Sequence, residues 1–293
     1  MKERPKAMQE GMEMEGLYLY CIREKTIDTP AISTQGIDGK GEVYALPFQN
    51  IEAIVSKVLL EEFASEEIQR KAQEDLNWIK TKAFVHEKVV EEAMSKNGKI
   101  LNLIPMRFGT LFQDEVRLEE ALVKDYSRVM QVLERIRGKQ EWSVKLYLGD
   151  REQVKHTITE SNETILKKEK EIASSSEGMA FFLEEQLKEV ISKEVEKEIS
   201  KMIEGAFESL NKRAVTAVKN KILGKEFMRR QEPMVLNAAY LVLEEKMGAF
   251  KKEAEDLNQQ MQGKGFFIEY SGPWPAYNFT HSPSPPYRVR GRL

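Results

Sequence analysis

The sequence predicts an α+β protein of two domains: an N-terminal α+β domain and a C-terminal ferredoxin-like (split βαβ) domain with a long amphipathic helical region. At 293 residues, the chain is longer than one hydrophobic core usually needs. Runs of β-forming residues alternate with segments of helical periodicity. In the C-terminal half their order is strand–helix–strand–helix–strand, which suits a split βαβ sheet. We expect domains at 17–138 and 139–279, between disordered segments at 1–16 and 280–293.

The first domain begins with the strand-like run LYLYCI at 17–22. Two short strands are expected around 43–46 and 51–56, joined by the tight connection PFQN. A helical region follows from Ser65, which suits an N-cap because two glutamates come after it. Gly98 is placed to end this region.

A further strand-like run and a second helix complete the first domain. The run is KILNLIPMRFGTLF at 99–112, and Asp114 is a candidate cap for the helix after it. Gly138 closes that helix. Its apolar positions recur at helical spacing: Leu118, Leu122, Val129, Val132, Leu133 and Ile136.

The second domain opens with the half-buried strand EWSVKLYLG at 141–149. A long charged helical region extends from about Ser161 to Gly224, with a candidate break near Gly178. Its segment 183–210 carries one apolar stripe, which either packs on its own sheet or docks a partner helix. The stripe consists of Leu187, Ile191, Val195, Ile199, Met202, Ala206 and Leu210.

Two strands and a helix end the second domain: a buried strand at 233–243, a helix at 245–262 and a last strand, GFFIEY, at 265–270. The fourth strand of the ferredoxin-like sheet is harder to place. The candidate is RAVTAVKNKIL, but its apolar spacing fits a helix equally well. Segment 213–224 is therefore either helix or strand.

Composition and charge exclude several classes of protein. The 45 basic and 48 acidic residues give a net charge of −3, which disfavours nucleic acid as a partner. The single cysteine, Cys21, lies in an apolar run and is expected to be a buried structural thiol. The polar first sixteen residues do not resemble a signal peptide, and no apolar run is long enough to span a membrane. We expect an intracellular, soluble protein.

No sequence motif assembles a catalytic, cofactor or metal site. HEKVVEE begins like a zinc protease helix at His86, but Val90 stands where the second histidine should be. Phosphate-binding glycine motifs and the Gly-x-Ser-x-Gly nucleophile motif are absent. We expect no cofactor, no metal and no enzymatic activity. The alternative is an enzyme with an unfamiliar ferredoxin-like site, in which Arg107, His86 and Tyr277 would share one pocket.

The stretch IPMRFGTLF is a candidate structural or interaction site. Arg107 follows an apolar strand and precedes Phe108 and Gly109, a glycine that permits a tight turn. Burying an arginine is costly unless its guanidinium finds acceptors. We therefore predict that Arg107 bonds carbonyls or a carboxylate of the first domain; the alternative is that it contacts a partner.

The second unusual stretch, GPWPAYNF, is a candidate anchor for the end of the chain. The two prolines exclude a regular helix and a central strand. Gly272 would permit a sharp exit from the sheet, and Pro273 and Pro275 would stiffen the segment after it. We predict that Trp274 and Phe279 pack back onto the chain; the rival reading is an exposed aromatic ledge for a partner. Tyr277 is presented by the same segment.

Together, these segments resemble the gas vesicle protein F/L family. The resemblance is carried by LYLYCI, HEKVVEEAM, ILNLIPMRFGTLF, EWSVKLYL, MVLNAAYLV and GPWPAYNF, and it covers roughly 16–280. PMRFGT and GPWPAYNF are its strongest markers, although Ala276 replaces the second proline of the usual Gly-Pro-Trp-Pro-Pro-Tyr-x-Phe pattern. The family's two α+β domains, the second ferredoxin-like, agree with the order of elements above.

The resemblance implies an accessory protein of gas vesicle formation in a prokaryotic cytoplasm, associated with the vesicle. Such a protein is expected to bind the small hydrophobic shell subunit and other gas vesicle accessory proteins, with neither nucleic acid nor membrane as a partner. The alternative within this resemblance is a minor structural component of the shell, which purified vesicles would contain in abundance.

Overall fold

The computed structural model describes residues 14–26, 32–96, 98–222 and 230–280. They form two compact units: the described residues up to Arg137 together with 275–280, and the residues from Gly138 to Trp274. Each unit contains helices and an antiparallel sheet, so the predicted α+β class is confirmed. Of the segments predicted to be disordered, 1–13 and 281–293 lie outside the described residues, whereas the first strand already begins at Glu15.

The first unit is built on a five-stranded sheet with the order β2–β3–β1–β6, in which β7 also pairs with β1. The strands are β1 Glu15–Glu24, β2 Val43–Phe48, β3 Ile51–Leu59, β6 Leu103–Pro105 and β7 Leu111–Phe112; a separate hairpin joins β4 Ser95–Lys96 to β5 Lys99–Ile100. The long run predicted at 99–112 is thus three short strands.

Helices cover both faces of this sheet because the side chains of β1 alternate between them. They are α1 Leu60–Phe63, α2 Ser65–Glu74, α3 Leu76–Met94 and α4 Glu115–Ile136. Tyr18 packs in one core with Val89 of α3, and Leu19 packs in the other with Leu118 of α4. Cys21 is fully buried, as predicted.

Side-chain caps mark the beginnings of α3 and α4. The predicted N-cap at Ser65 is wrong, because Ser65 is the first residue of α2 and Ala64 occupies the cap position. Asp114 accepts a hydrogen bond from the Arg117 amide at 2.8 Å, which confirms the predicted cap of α4. The Asp75 side chain accepts from the Trp78 amide and so caps α3. It divides the predicted helical region into α2 and α3. The predicted helix end at Gly98 is wrong. α3 ends at Met94, and Gly98, with φ +77°, lies between β4 and β5.

The second unit has a four-stranded sheet with the order β11–β8–β10–β9, and all neighbouring strands are antiparallel. The elements are β8 Lys139–Leu148, α5 Arg151–Ser161, α6 Glu163–Ala173, α7 Glu177–Asn211, β9 Thr216–Lys219, β10 Met234–Leu243, α8 Met247–Gln262 and β11 Phe266–Trp274. This order along the chain and within the sheet is that of the split βαβ fold.

The helical region predicted from Ser161 to Gly224 contains two helices, α6 and α7, and the helix before them, α5, ends at Ser161. Asn162 separates α5 from α6 by capping α6, since its side chain accepts from the amides of Thr164 and Ile165. The undecided segment 213–224 contains the strand β9, and its last two residues lie outside the described chain. The apolar stripe of α7 packs on the core of its own unit, with Val195, Ile199, Ala206 and Leu210 buried.

β11 continues beyond the predicted exit at Tyr270 and reaches Trp274, which pairs with Glu141 after an irregularity that begins at Ser271. Gly272 has φ +148°, and a Cβ there would lie 2.9 Å from Trp142 Cδ2. Glycine is therefore needed for close approach to β8. Pro273 fits because β11 is one of the two outer strands of this sheet.

The predicted C-terminal boundary of the second domain, residue 279, is wrong. Residues 275–279 belong to the first unit, where α9, Tyr277–Thr280, packs against α4 and β6. The chain therefore returns to its first unit after Trp274.

A candidate site around His86

Two of the predicted site residues, Phe108 and Tyr277, contact His86 in the first unit, and a third, Gly109, bonds its neighbour Tyr18. The Phe108 ring lies edge-on to the imidazole, with centroids 6.2 Å apart. Gly109 donates its amide to the Tyr18 hydroxyl at 2.9 Å, and its φ of +80° confirms the expected turn conformation. The Tyr277 hydroxyl lies 3.3 Å from His86 Nε2.

A continuous set of hydrogen bonds runs through this cluster of Tyr18, His86, Glu87 and Tyr277. The Tyr18 hydroxyl accepts from Gly109 and donates to His86 Nδ1 at 3.0 Å. His86 Nε2 then carries the imidazole proton and faces the Met106 carbonyl at 3.2 Å. The Tyr277 hydroxyl donates to Glu87 Oε2 at 3.0 Å. One tautomer of a neutral histidine satisfies all these bonds.

Burial fixes the charge state of the cluster. His86 is only 3% exposed, and burial lowers its pKa to about 4. Burial also raises the pKa of both tyrosines and of the Glu87 carboxyl. Near neutral pH the imidazole is uncharged and both phenols keep their protons. The cluster is thus suited to joining β1, α3 and α9 by fixed hydrogen bonds.

Arg107 does not join this cluster. Its side chain is exposed and makes no hydrogen bond within the described part of the chain, so the prediction that it bonds carbonyls or a carboxylate of the first domain is wrong. Only its backbone carbonyl is used, accepting from the amide and the hydroxyl of Thr110 at 3.2 and 2.7 Å. The enzyme alternative required Arg107, His86 and Tyr277 together, and the structure joins only the last two.

Among the described residues, no group of three or more His, Cys, Asp or Glu side chains is arranged to hold a metal.

Among the described residues of the first unit, the buried arginine is Arg23, which no sequence pattern had singled out. It is fully buried on β1, and its Nε donates to Glu52 Oε1 on β3 at 2.7 Å. Its guanidinium also bonds the Ala93 carbonyl at the end of α3. Arg23 and Glu52 are direct cross-strand partners, so opposite charges in two apolar strand runs were the available signal.

The aromatic residues of the C-terminal stretch divide between the two units. Phe279 is 8% exposed in the first unit, and its carbonyl accepts from Arg135, which confirms its predicted packing. Trp274, at the end of β11, is 37% exposed, so it packs onto the chain only in part. Its indole nitrogen bonds Ser271 Oγ at 3.1 Å. Pro275 begins the segment that returns to the first unit and accepts from the Tyr277 amide.

An exposed apolar group lies at the beginning of α7, where the sequence analysis had not placed a site. Met179, Phe181 and Phe182, here called the aromatic tip, precede the part of the helix that packs on the core. Phe181 and Phe182 are 69% and 59% exposed. No sequence pattern singled out this pair, because adjacent apolar positions can both be buried on one helix face, as Val89 and Val90 are on α3.

No helix of the described chain combines the length and apolar character needed to cross a bilayer.

The chain is similar to known proteins over nearly its full length. The family model described as gas vesicle synthesis protein GvpL/GvpF matches residues 16–281. Gas vesicle protein L1 of Halobacterium salinarum is 26% identical over 285 residues, which cover 95% of each chain. Gas vesicle protein F of Microcystis aeruginosa is 24% identical, over 90% of this chain and 98% of that protein.

The fold is similar to that of solved gas vesicle proteins. The crystal structure of GvpF from Anabaena sp. superposes with a TM-score of 0.68 over 92% of this chain and 100% of that chain, at 20% identity. GvpF from Microcystis aeruginosa gives a TM-score of 0.62 over 91% of this chain and 99% of that chain, at 21% identity. At these identities the likeness concerns the fold.

Proposed function

Because the chain belongs to the gas vesicle synthesis protein GvpL/GvpF family, whose members have a role in gas vesicle formation, we propose that it binds the small hydrophobic shell subunit and assists its assembly into the vesicle. The proposed role is non-catalytic. It places the protein in the cytoplasm, associated with the growing vesicle and with other gas vesicle accessory proteins.

The physical need for such a partner follows from the shell itself. A subunit that lines a gas space must carry a large apolar surface, which would aggregate in water before assembly. A partner that covers this surface with exposed apolar groups of its own keeps the subunit available for assembly.

The observation that carries the proposal is the exposure of the aromatic tip. Exposing one large apolar side chain is ordinary, but two adjacent phenylalanines beside a methionine form a local apolar surface. Aromatic residues and methionine are also enriched where proteins bind one another. The stripe of α7 is occupied by its own core, so the tip is the part of this helix that remains free to dock.

The test measures aggregation of purified shell subunit by light scattering when it is diluted from denaturant, with and without this protein. We expect the wild type to suppress scattering and Phe181→Gln/Phe182→Gln to lose most of this effect, because glutamine keeps the helix and removes the apolar surface. The matched control is Val116→Gln/Val123→Gln, which alters two similarly exposed apolar residues on α4. Equal suppression by the tip variant and the control would refute the proposed surface, and no suppression by the wild type would refute subunit binding.

A further inference from the structure

β9 forms the outer strand of the second sheet, opposite β11. It pairs with β10, and no described residue pairs with its other side. Val215, Val218 and Ile222, on and beside this strand, are all exposed, and Val215 and Ile222 are more than half exposed at 52% and 55%. An outer strand with exposed apolar side chains is a template for pairing with another strand.

The register identifies the backbone groups that this side offers. The Asn220 amide donates to the Asn237 carbonyl at 2.7 Å, and Val218 lies opposite Ala239. Because alternate residues of an antiparallel strand bond the same neighbour, Val218 and Asn220 direct their amides toward β10. The amides and carbonyls of Ala217 and Lys219 therefore point outward, where another strand could bind.

Lysine on an outer strand often prevents such pairing, but here the lysine is held elsewhere. The Lys219 ammonium pairs with Glu204 and lies 4.4 Å from the centroid of the Phe207 ring, both on α7. The Lys219 side chain therefore lies on the face of the sheet that α7 covers. It does not block the outward backbone groups of β9.

The charge of this segment determines what can pair with it. From 212 to 221 the sequence has basic residues at 212, 213, 219 and 221 and no acidic residue. Arg213 and Lys219 have glutamate partners, and the Lys212 charge interacts with Glu253, the partner of Arg213. Lys221 forms no ion pair within the described chain. Pairing with a second copy of this chain would bring more basic residues to the strand without adding an acidic one, which is unfavourable.

We propose that the outward side of β9 binds, as an added antiparallel strand, an extended segment of a partner protein that is apolar in its middle and acidic at its ends. Backbone hydrogen bonds to Ala217 and Lys219 would supply the pairing, the apolar residues would cover Val218, and the acidic ends would meet Lys212 and Lys221. This surface is distinct from the aromatic tip, so the two proposals can fail independently.

The test uses amide hydrogen exchange of the full chain, followed by NMR. The probe is a blocked peptide, Glu-Glu-Val-Thr-Val-Thr-Val-Glu-Glu, and its counterpart has lysine at every glutamate. At a peptide concentration about ten times its Kd, exchange at Ala217 and Lys219 should slow about tenfold with the acidic peptide. The amides of Val218 and Asn220 already bond β10 and should change little.

A charge exchange provides the control for specificity. Lys212→Glu/Lys221→Glu should bind the lysine peptide in preference to the acidic one. Lys167→Glu/Lys170→Glu, which alters exposed lysines on α6, should keep the wild-type preference. Three results would each overturn the proposal: no slowing with either peptide, equal slowing with both, or slow exchange of the two amides in the free protein. Slowing that depends only on protein concentration would identify a second copy as the occupant and would also overturn it.

Discussion

His86 is surrounded by the hydroxyls of Tyr18 and Tyr277 and by the Met106 carbonyl, with the Glu87 carboxylate bonded to Tyr277. This setting suits the neutral ring, since Tyr18 donates to Nδ1 and Nε2 carries the only proton. A second proton on Nδ1 would face the Tyr18 hydroxyl, whose hydrogen would then lose its acceptor. Protonation of His86 therefore lowers the free energy of unfolding.

We predict that the free energy of unfolding falls as the pH drops from about 6.5 to about 4. Over this window the unfolded chain binds a proton at His86 that the folded chain, with a pKa of about 4, does not bind. The full loss is about 3 kcal/mol. The raised pKa of Glu87 acts in the opposite direction. Urea unfolding of the wild type and of His86→Asn, both of which contain Glu87, isolates the histidine. Parallel pH profiles for the two proteins would contradict the prediction.

Arg23 and Glu52 form a buried ion pair whose two halves depend on each other. Arg23→Met leaves the Glu52 charge buried without its main partner and should cost about 3–5 kcal/mol of stability. Arg23→Met/Glu52→Leu removes both charges and should recover much of that loss. Chemical denaturation of the single and double variants measures the difference. If the double variant is less stable than Arg23→Met, the pair is not the source of the cost.

Among the elements, those with local causes were predictable from the sequence. Asp114 caps α4 because its side chain reaches an amide three residues later, a relation visible in the chain itself. The split βαβ order followed from the alternation of strand and helix patterns. Segment 213–224 was ambiguous because its apolar spacing fits both a helix and a strand. Part of it forms the strand β9 because it pairs with β10.

Elements that depend on distant partners were not predictable in the same way. Trp274 and Phe279 share one aromatic stretch, yet Trp274 ends β11 and Phe279 returns to the first unit. The position of Arg107 after an apolar strand suggested burial, whereas its strand ends before it and its side chain is exposed. The partner of Tyr277 on α3 lies 190 residues earlier in the chain, and no local pattern specifies such a contact.

This division of the C-terminal stretch predicts unequal effects of two similar substitutions. Phe279→Ala empties a buried position in the first unit and should cost about 3 kcal/mol of stability. Trp274→Ala removes a side chain that is already 37% exposed and should cost about 1 kcal/mol. Thermal and urea unfolding of the two variants test this order. A Trp274→Ala variant as unstable as Phe279→Ala would restore the anchoring role first expected of the tryptophan.

At the scale of the whole molecule, the second unit is continuous in sequence and the first is interrupted by it. The second unit begins and ends on paired strands, since Glu141 of β8 lies opposite Trp274 of β11. Opposite residues in an antiparallel pair have Cβ atoms about 5 Å apart, so the two ends of the unit emerge close together. This arrangement is typical of domain insertion.

The insertion predicts which fragments fold. Fragment 138–274 contains its sheet, its helices and its core, and should fold alone with a cooperative thermal transition. Fragment 1–137 lacks Tyr277 and Phe279 and should be less stable, by about 3 kcal/mol or more, than the same fragment joined through a short glycine linker to 275–293. Circular dichroism melts and NMR spectra of the three fragments measure this. The matched control is the linked fragment with Phe279→Ala, which should lie between the other two first-unit forms because it keeps Tyr277 and its bond to Glu87. An unfolded 138–274 fragment would show that the second unit does not fold by itself. A 1–137 fragment as stable as the linked one would show that Tyr277 and Phe279 do not stabilise the first unit.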